Sequence, residues 1–167
     1  MIIHIVNLII PNATAESFYN FMTNPTDDLY KKWLPEEHWA FHIVKKGSET
    51  HLGDLVFYDE ILGNKKHRLT FYATITIAER PNRLVYQMRK FALNLPAYLD
   101  ISFTDTSDGL AIKHEVRIGW RGAGILIDPL IRLFYNESFF CALKGHCERE
   151  WSCLAEILKD VDMVYLK

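Results

Sequence analysis

The chain has 167 residues, 49% of them hydrophobic and 24% charged, with a formal net charge of −2. This length fits one domain over 1–167 with a sizeable core, and a small net charge without a basic block argues against a nucleic-acid partner. The amino terminus lacks the basic and small-residue signals of a secretory leader, and no apolar run approaches the roughly 20 residues that span a bilayer. The composition therefore predicts a cytoplasmic globular protein with no membrane partner.

The amino-terminal part of the chain predicts one strand and two short helices. The apolar residues 2–10 form the strand, and a polar cap segment then precedes a helix over 15–23. Thr26 or Asp27 caps a second helix, which ends at Trp33 before a proline.

From position 38 the chain predicts six strands separated by short turns. Apolar and polar residues alternate most regularly in the third of these strands, as expected of a strand with one buried face. Its apolar face would carry Leu69, Phe71, Ala73, Ile75 and Ile77. The six predicted strands are 38–45, 54–62, 68–79, 84–89, 98–104 and 110–120.

A long amphipathic helix is predicted over 128–159, with Asp128 as its cap and Pro129 in its first turn. Its apolar positions recur every three or four residues, which marks the face that packs on the sheet. They are Leu143, Cys147, Trp151, Leu154, Ile157 and Leu158. The order of elements predicts an α+β fold, in which a curved antiparallel sheet of about seven strands wraps around this helix.

His146 and Glu150 lie on the same side of the helix as these apolar residues. Side chains four residues apart are about 6 Å apart on a helix, so both could reach one ion. A buried carboxylate without a partner costs several kcal/mol, and it therefore normally has a partner, a metal or a wet cavity. The pair is a candidate site, and a hydrogen-bonded core pair without a metal remains the alternative.

Cys141, Cys147 and Cys153 also fall on this helix. Residues six apart are separated by about 9 Å along a helix axis, too far for a disulfide, and reduced thiols agree with a cytoplasmic location. Cys147 is next to His146 and could be a soft metal ligand, although a buried cysteine is more often a small hydrophobic residue.

The whole chain resembles the helix-grip fold of the START-like, or SRPBCC, superfamily of ligand-binding proteins and polyketide cyclases. The resemblance rests on the helices after the first strand, on Gly53-Asp54 at the start of a strand, on the segment 79–84 (Glu-Arg-Pro-Asn-Arg-Leu) and on the closing helix. It implies a deep cavity between the sheet and the long helix. Fold alone does not imply a function.

A narrower resemblance concerns the segment 30–38, Tyr-Lys-Lys-Trp-Leu-Pro-Glu-Glu-His. It is similar to a segment of the diacetylphloroglucinol and phloretin hydrolases, which cleave a carbon–carbon bond next to a ketone on an aromatic ring and use zinc held by two histidines and two glutamates. Carried over to this chain, the resemblance implies His38, Glu60, His146 and Glu150 as the metal ligands. This chain is shorter, and Leu34 stands where that pattern would have a histidine.

Two imidazoles and two carboxylates suit zinc, with iron or manganese as alternatives. The residues themselves leave two questions open. Glu60 shares a strand face with Tyr58, and alternation alone does not say whether that face meets the cavity or solvent. His38 and His42 are four residues apart, about 13 Å on a strand, so both could reach one ion only if His38 lies in the preceding loop. The resemblance favours His38, with His42 as its substitute.

The first hypothesis is a metal-dependent hydrolase acting on a small aromatic or ketonic compound; a non-catalytic carrier of a hydrophobic ligand and a metal-free cyclase or aromatase are the alternatives. Glu150 and three tyrosines are the candidate catalytic residues, the tyrosines only where they face the cavity: Tyr58, Tyr72 and Tyr86. The predicted ligand contacts are Phe71, Ile75, Tyr86, Leu143 and Cys147. Apolar residues ahead of the helix core would serve a homodimer contact or the cavity mouth: Leu126, Ile127 and Phe134.

Overall fold

The computed structural model describes residues 1–62, 67–90, 93–119, 129 and 135–165, with 159–165 as backbone only. These residues form seven strands and three helices, and the predicted α+β helix-grip architecture is confirmed. In chain order the elements are β1 (Ile2–Ile10), α1 (Ala15–Thr23), α2 (Asp27–Trp33), β2 (His38–Lys45), β3 (Leu55–Leu62), β4 (His67–Glu79), β5 (Arg83–Lys90), β6 (Leu93–Thr106), β7 (Gly109–Ile118) and α3 (Glu137–Tyr165).

The seven strands form one antiparallel sheet in the order β1-β7-β6-β5-β4-β3-β2. The first strand therefore pairs with the last, and β2 and β3 lie at the opposite edge. Helix α3 packs against β1, β3 and both short helices. Residues on β2, β3 and α2 are thereby brought to the same part of α3.

The short helices begin where their caps were predicted. The Oγ1 atom of Thr14 accepts a hydrogen bond from the Ser17 amide at 3.2 Å, and that of Thr26 accepts one from the Leu29 amide at 3.3 Å. Each bond satisfies an amide that the first turn of a helix leaves without a partner. The buried faces of α1 and α2 then pack between α3 and the sheet, as Phe18 does with its ring 4.8 Å from that of Phe103.

The sixth strand begins five residues earlier than predicted, at Leu93 instead of position 98. Proline lacks the amide hydrogen that a strand ladder needs, so Pro96 favours a later start. In the structure, Pro96 lies where the pairing of β5 and β6 shifts register between Gln87 and Arg89, and its carbonyl accepts a hydrogen bond from Gly119 at 2.8 Å. An irregularity of this kind is where a strand tolerates proline.

The prediction that one helix runs from position 128 is wrong, because Tyr135 and Asn136 are not helical and α3 begins at Glu137. The Asn136 side chain accepts a hydrogen bond from the Phe139 amide at 3.1 Å and so caps the helix. Asp128 and the proposed contact residues Leu126, Ile127 and Phe134 lie outside the described residues, as does Trp120 at the end of the last predicted strand.

The three cysteines are free thiols: Cys147 is buried, whereas Cys141 and Cys153 are exposed. Among the described residues, none of the helices combines the length and apolarity needed to cross a lipid bilayer.

Candidate functional site

His38 is the first residue of β2, and its side chain is held from two sides. The ring is buried and stacks on that of Tyr30, with 3.9 Å between centroids and an interplanar angle of 5°. Its Nδ1 atom is 3.2 Å from the Tyr30 carbonyl oxygen. A carbonyl can only accept, so Nδ1 carries the proton and the lone pair of Nε2 points away from α2. Burial lowers the pKa of His38 to about 3, so the ring is neutral near pH 7.

His146 approaches the same point from α3. Its Nδ1 atom is 2.6 Å from Oε2 of Glu37, which acts as the acceptor when ionised. The other nitrogen, Nε2, then carries a lone pair and lies 3.4 Å from Nε2 of His38. Two lone pairs that face each other at this distance repel, unless a cation or a proton lies between them.

Two carboxylates complete the cluster. Glu60 is paired with His38 across β2 and β3, which turns its side chain inward, and its Oε2 atom lies 4.0 Å from Nε2 of His146. The same oxygen accepts a 2.7 Å hydrogen bond from the Tyr30 hydroxyl. Glu150 lies one turn after His146, with oxygens 3.8 Å and 3.7 Å from the Nε2 atoms of His38 and His146.

The environment of Glu150 disfavours its charge. Burial, with smaller contributions from the negative charges of Glu60 and Glu37, raises the pKa of the Glu150 carboxyl well above its usual value. The guanidinium of Arg149 pairs with the Glu37 carboxylate, with 2.5 Å between Nη2 and Oε1. If all three carboxyls were ionised, they would exceed the Arg149 guanidinium by two negative charges.

A cavity of about 140 Å³ lies against the cluster, and Glu60, His146 and Glu150 form part of its wall. An engineered apolar cavity of about 150 Å³ holds benzene, so this space suits a ligand of about one ring. Of the predicted contacts, Phe71, Leu143 and Cys147 line the cavity, as does Tyr58. Among the described residues, no lysine or arginine lines it.

Three other predicted site residues lie elsewhere. Tyr72 is 39% exposed and packs on Phe57 of the outer sheet face, which removes it from the candidates. Tyr86 is fully buried behind the cavity, where its hydroxyl donates to the Met22 carbonyl at 3.1 Å. Ile75 is buried but does not line the cavity. On β4 and β5, alternation identified the buried face but not how far along it the cavity extends.

His42, the substitute for His38, faces away from the cluster. Its Nδ1 atom is 2.8 Å from Oδ1 of Asp27, and 42% of its side chain is exposed. His38 is therefore the β2 histidine that reaches the cluster.

Sequence reasoning missed Glu37, Tyr30 and His114. Glu37 precedes His38 in a turn, where no periodicity indicates the direction of a side chain. His114, interpreted from sequence as a surface or strand histidine, is buried and lines the cavity. Its Nδ1 atom is 3.9 Å from the Cys147 thiol, and burial lowers the pKa of its ring to about 3. His114 follows the alternation of the apolar residues along β7, and this alternation was the signal that could have predicted its burial.

The chain matches no protein-family model and no curated protein sequence. Solved structures do match. The KanY protein has a TM-score of 0.64 and 12% sequence identity, and the match covers 95% of this chain and 97% of KanY. The di-domain ARO/CYC protein BexL of the BE-7585A biosynthetic pathway has a TM-score of 0.60 and 13% identity, with 95% of this chain and 50% of BexL covered; a Nitrosomonas europaea protein has a TM-score of 0.54 and 13% identity, with 98% and 97% covered. At such identities the likeness establishes the fold alone, and it is consistent with the START-like fold predicted from the sequence.

Proposed function

We propose that this protein is a metal-dependent hydrolase, with zinc as the ion, that acts on a small aromatic or ketonic compound in the cavity between the sheet and α3. The observation that carries the proposal is the convergence of two imidazole lone pairs and two carboxylates on one point, from β2, β3 and α3. Three of these residues, His38, Glu60 and His146, have ligand atoms within 4.8 Å of one another.

The spacing of the donor atoms fits a tetrahedral ion. Zinc binds nitrogen at about 2.0–2.1 Å, which at a tetrahedral angle places two ligand nitrogens about 3.3–3.4 Å apart. The two Nε2 atoms are 3.4 Å apart. The carboxylate oxygens are 3.7 Å to 4.0 Å from these nitrogens. Side-chain rotations that move these oxygens by a few tenths of an ångström would complete a tetrahedral set of four ligands.

The charges of the cluster also favour a dication. If all three carboxyls were ionised, those of Glu37, Glu60 and Glu150 would exceed the Arg149 guanidinium by two negative charges in a largely buried cluster, and the raised pKa of Glu150 reflects how unfavourable that excess is without a cation. Uncompensated buried charge is costly, and a buried carboxylate normally becomes protonated or binds a cation. A divalent ion would neutralise this excess and separate the two facing lone pairs.

Zinc bound there would act as a Lewis acid toward a carbonyl oxygen or a water molecule. The residues of this chain would supply the remaining requirements. The apolar cavity wall excludes bulk water and holds a ring, and the Tyr30 hydroxyl fixes the orientation of Glu60. A Glu150 oxygen would take a proton from water and return it to the leaving carbon. Cleavage of an aryl ketone would then give an acid from the acyl group and place a proton on the ring carbon.

The test is the metal content of the purified protein by inductively coupled plasma mass spectrometry. We expect about one zinc, iron or manganese ion per chain in the wild type, and near-complete loss in His146→Ala and Glu150→Ala. His42→Ala is the matched control, because this histidine is on the same strand as His38 but bonds to Asp27. Unchanged metal content in both cluster variants, or a folded wild type that takes up no zinc, would overturn the proposal.

The apolar cavity supports a second candidate, a non-catalytic carrier of a hydrophobic ligand, since this function needs the cavity and no ion. A metal-free cyclase, with His146 and Glu150 as acid and base, is the third, and BexL, an ARO/CYC protein, has the same fold. Native mass spectrometry separates them: an apolar ligand that co-purifies with metal-free wild type favours the carrier. For the cyclase, either substitution in the cluster would abolish turnover and leave ligand binding intact.

Tyr58 is expected to orient the ligand. Its hydroxyl is buried at the cavity wall next to the Tyr86 hydroxyl, which donates its own proton to the Met22 carbonyl. A ligand oxygen could accept a hydrogen bond from the Tyr58 hydroxyl, and such a bond is worth about 1 kcal/mol. We expect Tyr58→Phe to weaken the binding of a hydroxylated acetophenone about fivefold. Tyr72→Phe, on the outer face, is the control for a fluorescence titration, and equal affinities of both variants would contradict this role.

A further inference from the structure

Glu37 lies behind the cluster, on the side of His146 that faces away from the cavity. Its Oε2 atom is 2.6 Å from Nδ1 of His146, and its Oε1 atom is 2.5 Å from Nη2 of Arg149. The Glu37 side chain is 10% exposed, whereas that of Arg149 is 46% exposed and separates the carboxylate from solvent.

We propose that Glu37, held by Arg149, is the positioning residue that fixes the tautomer and orientation of His146 and thereby sets the affinity of the site for its ion. This inference rests on the proposed metal site for its effect on affinity. The effect on the His146 tautomer can be measured without any metal.

The imidazole ring has two nitrogens, and the proton can lie on either in the neutral form. When Glu37 accepts this hydrogen bond, the proton lies on Nδ1, which leaves the lone pair on Nε2, the nitrogen that faces His38. Without that acceptor, the proton could move to Nε2 and the ring could rotate about its side-chain bonds. Acceptors of this kind are a recurrent feature behind metal-bound histidines.

The backbone of Glu37 is also fixed, so its carboxylate is placed on a rigid support. Its amide donates to the Leu34 carbonyl at 3.0 Å, and its own carbonyl accepts from the Ile61 amide at 2.8 Å. His38 and Glu60 are the immediate neighbours of Glu37 and Ile61 in the sequence. Glu37 thus connects β2, β3 and α3 close to the four proposed metal ligands.

Arg149 has a separate role in this arrangement. Glu37 lies close enough to Glu150 for its charge to affect that carboxyl, and three carboxylates in one buried group repel one another. The guanidinium provides the compensating charge from the solvent side, and its bond to Oε1 leaves Oε2 directed at His146. Because Arg149 and His146 are three residues apart on α3, they reach the same carboxylate from one helix face.

The test compares zinc dissociation constants, measured by competition with a chromophoric chelator, for the wild type and three variants. Losing a partner behind a metal-bound histidine typically weakens metal affinity about 10- to 100-fold. We expect about 100-fold for Glu37→Ala and about 10-fold for Glu37→Gln, which keeps an acceptor but loses its charge. Glu36→Gln makes the same change of charge at the neighbouring exposed residue and should stay within about twofold of wild type.

The second measurement is the nitrogen chemical shifts of His146 in zinc-free protein, which distinguish the two tautomers. We expect the Nδ1-protonated form in wild type and Glu36→Gln, and a mixture in Glu37→Ala. If Glu37→Ala fails to fold, Glu37→Gln decides the same question. A wild-type tautomer in the Glu37 variants, together with unchanged zinc affinity, would overturn the inference. If the wild type binds no zinc, the proposed function fails, and the tautomer measurement still tests the role of Glu37.

Discussion

Replacing Glu150 with glutamine is expected to stabilise the metal-free protein increasingly as the pH rises, and to abolish its stabilisation by zinc. Burial and the neighbouring carboxylates raise the pKa of Glu150 well above the ordinary value of 4.5. A carboxyl with a raised pKa in the folded state stabilises that state fully below its unfolded pKa, and this contribution is lost as the pH rises toward the folded pKa. Glutamine has a similar shape and does not titrate.

Other groups titrate in the same range and must be separated from Glu150. Burial lowers the pKa of both His38 and His114 to about 3, so their contribution is lost as the pH falls below about 6.5. Both histidines are present in the wild type and in Glu150→Gln. To a first approximation, the difference in the free energy of unfolding between the two proteins therefore isolates Glu150.

The experiment is urea unfolding between pH 5 and pH 8 with a metal chelator present. The difference between Glu150→Gln and wild type should grow in favour of the variant by up to about 1.4 kcal/mol per pH unit, until the folded pKa is passed. Glu148→Gln is the control, since Glu148 is exposed on the same helix. A difference that does not vary with pH would show that Glu150 is not held protonated in the metal-free protein.

The same proteins test the ion directly. A ligand that binds only the folded state stabilises it by about 2.7 kcal/mol at 100 times its dissociation constant. Zinc should give the wild type and Glu148→Gln this increase, and Glu150→Gln almost none. Such a residue destabilises the metal-free protein and is required for zinc binding. This combination is characteristic of a functional site, where residues are retained for their function at a cost in stability.

Much of the fold could be predicted because its signals are local. The alternation around Phe71 and the threonine caps of both short helices each depend on residues within one element, and the structure confirms them. The start of α3 was mispredicted for the same reason. Asp128-Pro129 is a strong local helix signal, and it outweighed the cap at Asn136, which the structure uses.

The site depended on information that no single element contains. Apolar residues occupy both faces of β3, so alternation could not orient Glu60; its pairing with His38 and the hydroxyl of Tyr30 do so. The contact between Glu37 and His146 joins residues 109 positions apart. Periodicity describes one element at a time and therefore cannot predict a contact between two elements. The family resemblance implied the four proposed metal ligands but not the residues that form hydrogen bonds to them.

The largest loss of stability is expected from Trp33→Ala. Trp33 is 2% exposed and packs edge-on against Phe21 and Trp151, with ring centroids 4.9 Å and 5.3 Å away. Its Nε1 atom donates to the backbone carbonyl of Glu150 at 2.6 Å. Removing a buried tryptophan costs about 3–5 kcal/mol, and at about 2–4 °C per kcal/mol the melting temperature should fall by about 6–20 °C.

Trp39→Ala is the matched control for this change, because Trp39 is 49% exposed and, among the described residues, its ring contacts the guanidinium of Arg68 alone, at 5.8 Å. That contact is worth at most about 1 kcal/mol at an exposed site. Thermal unfolding followed by circular dichroism compares the two variants. Equal losses would show that α2 is not anchored to α3 through Trp33. In that case the proximity of His38 to Glu150 would need another support, since Trp33 joins the helix that precedes His38 to the turn of α3 that carries Glu150.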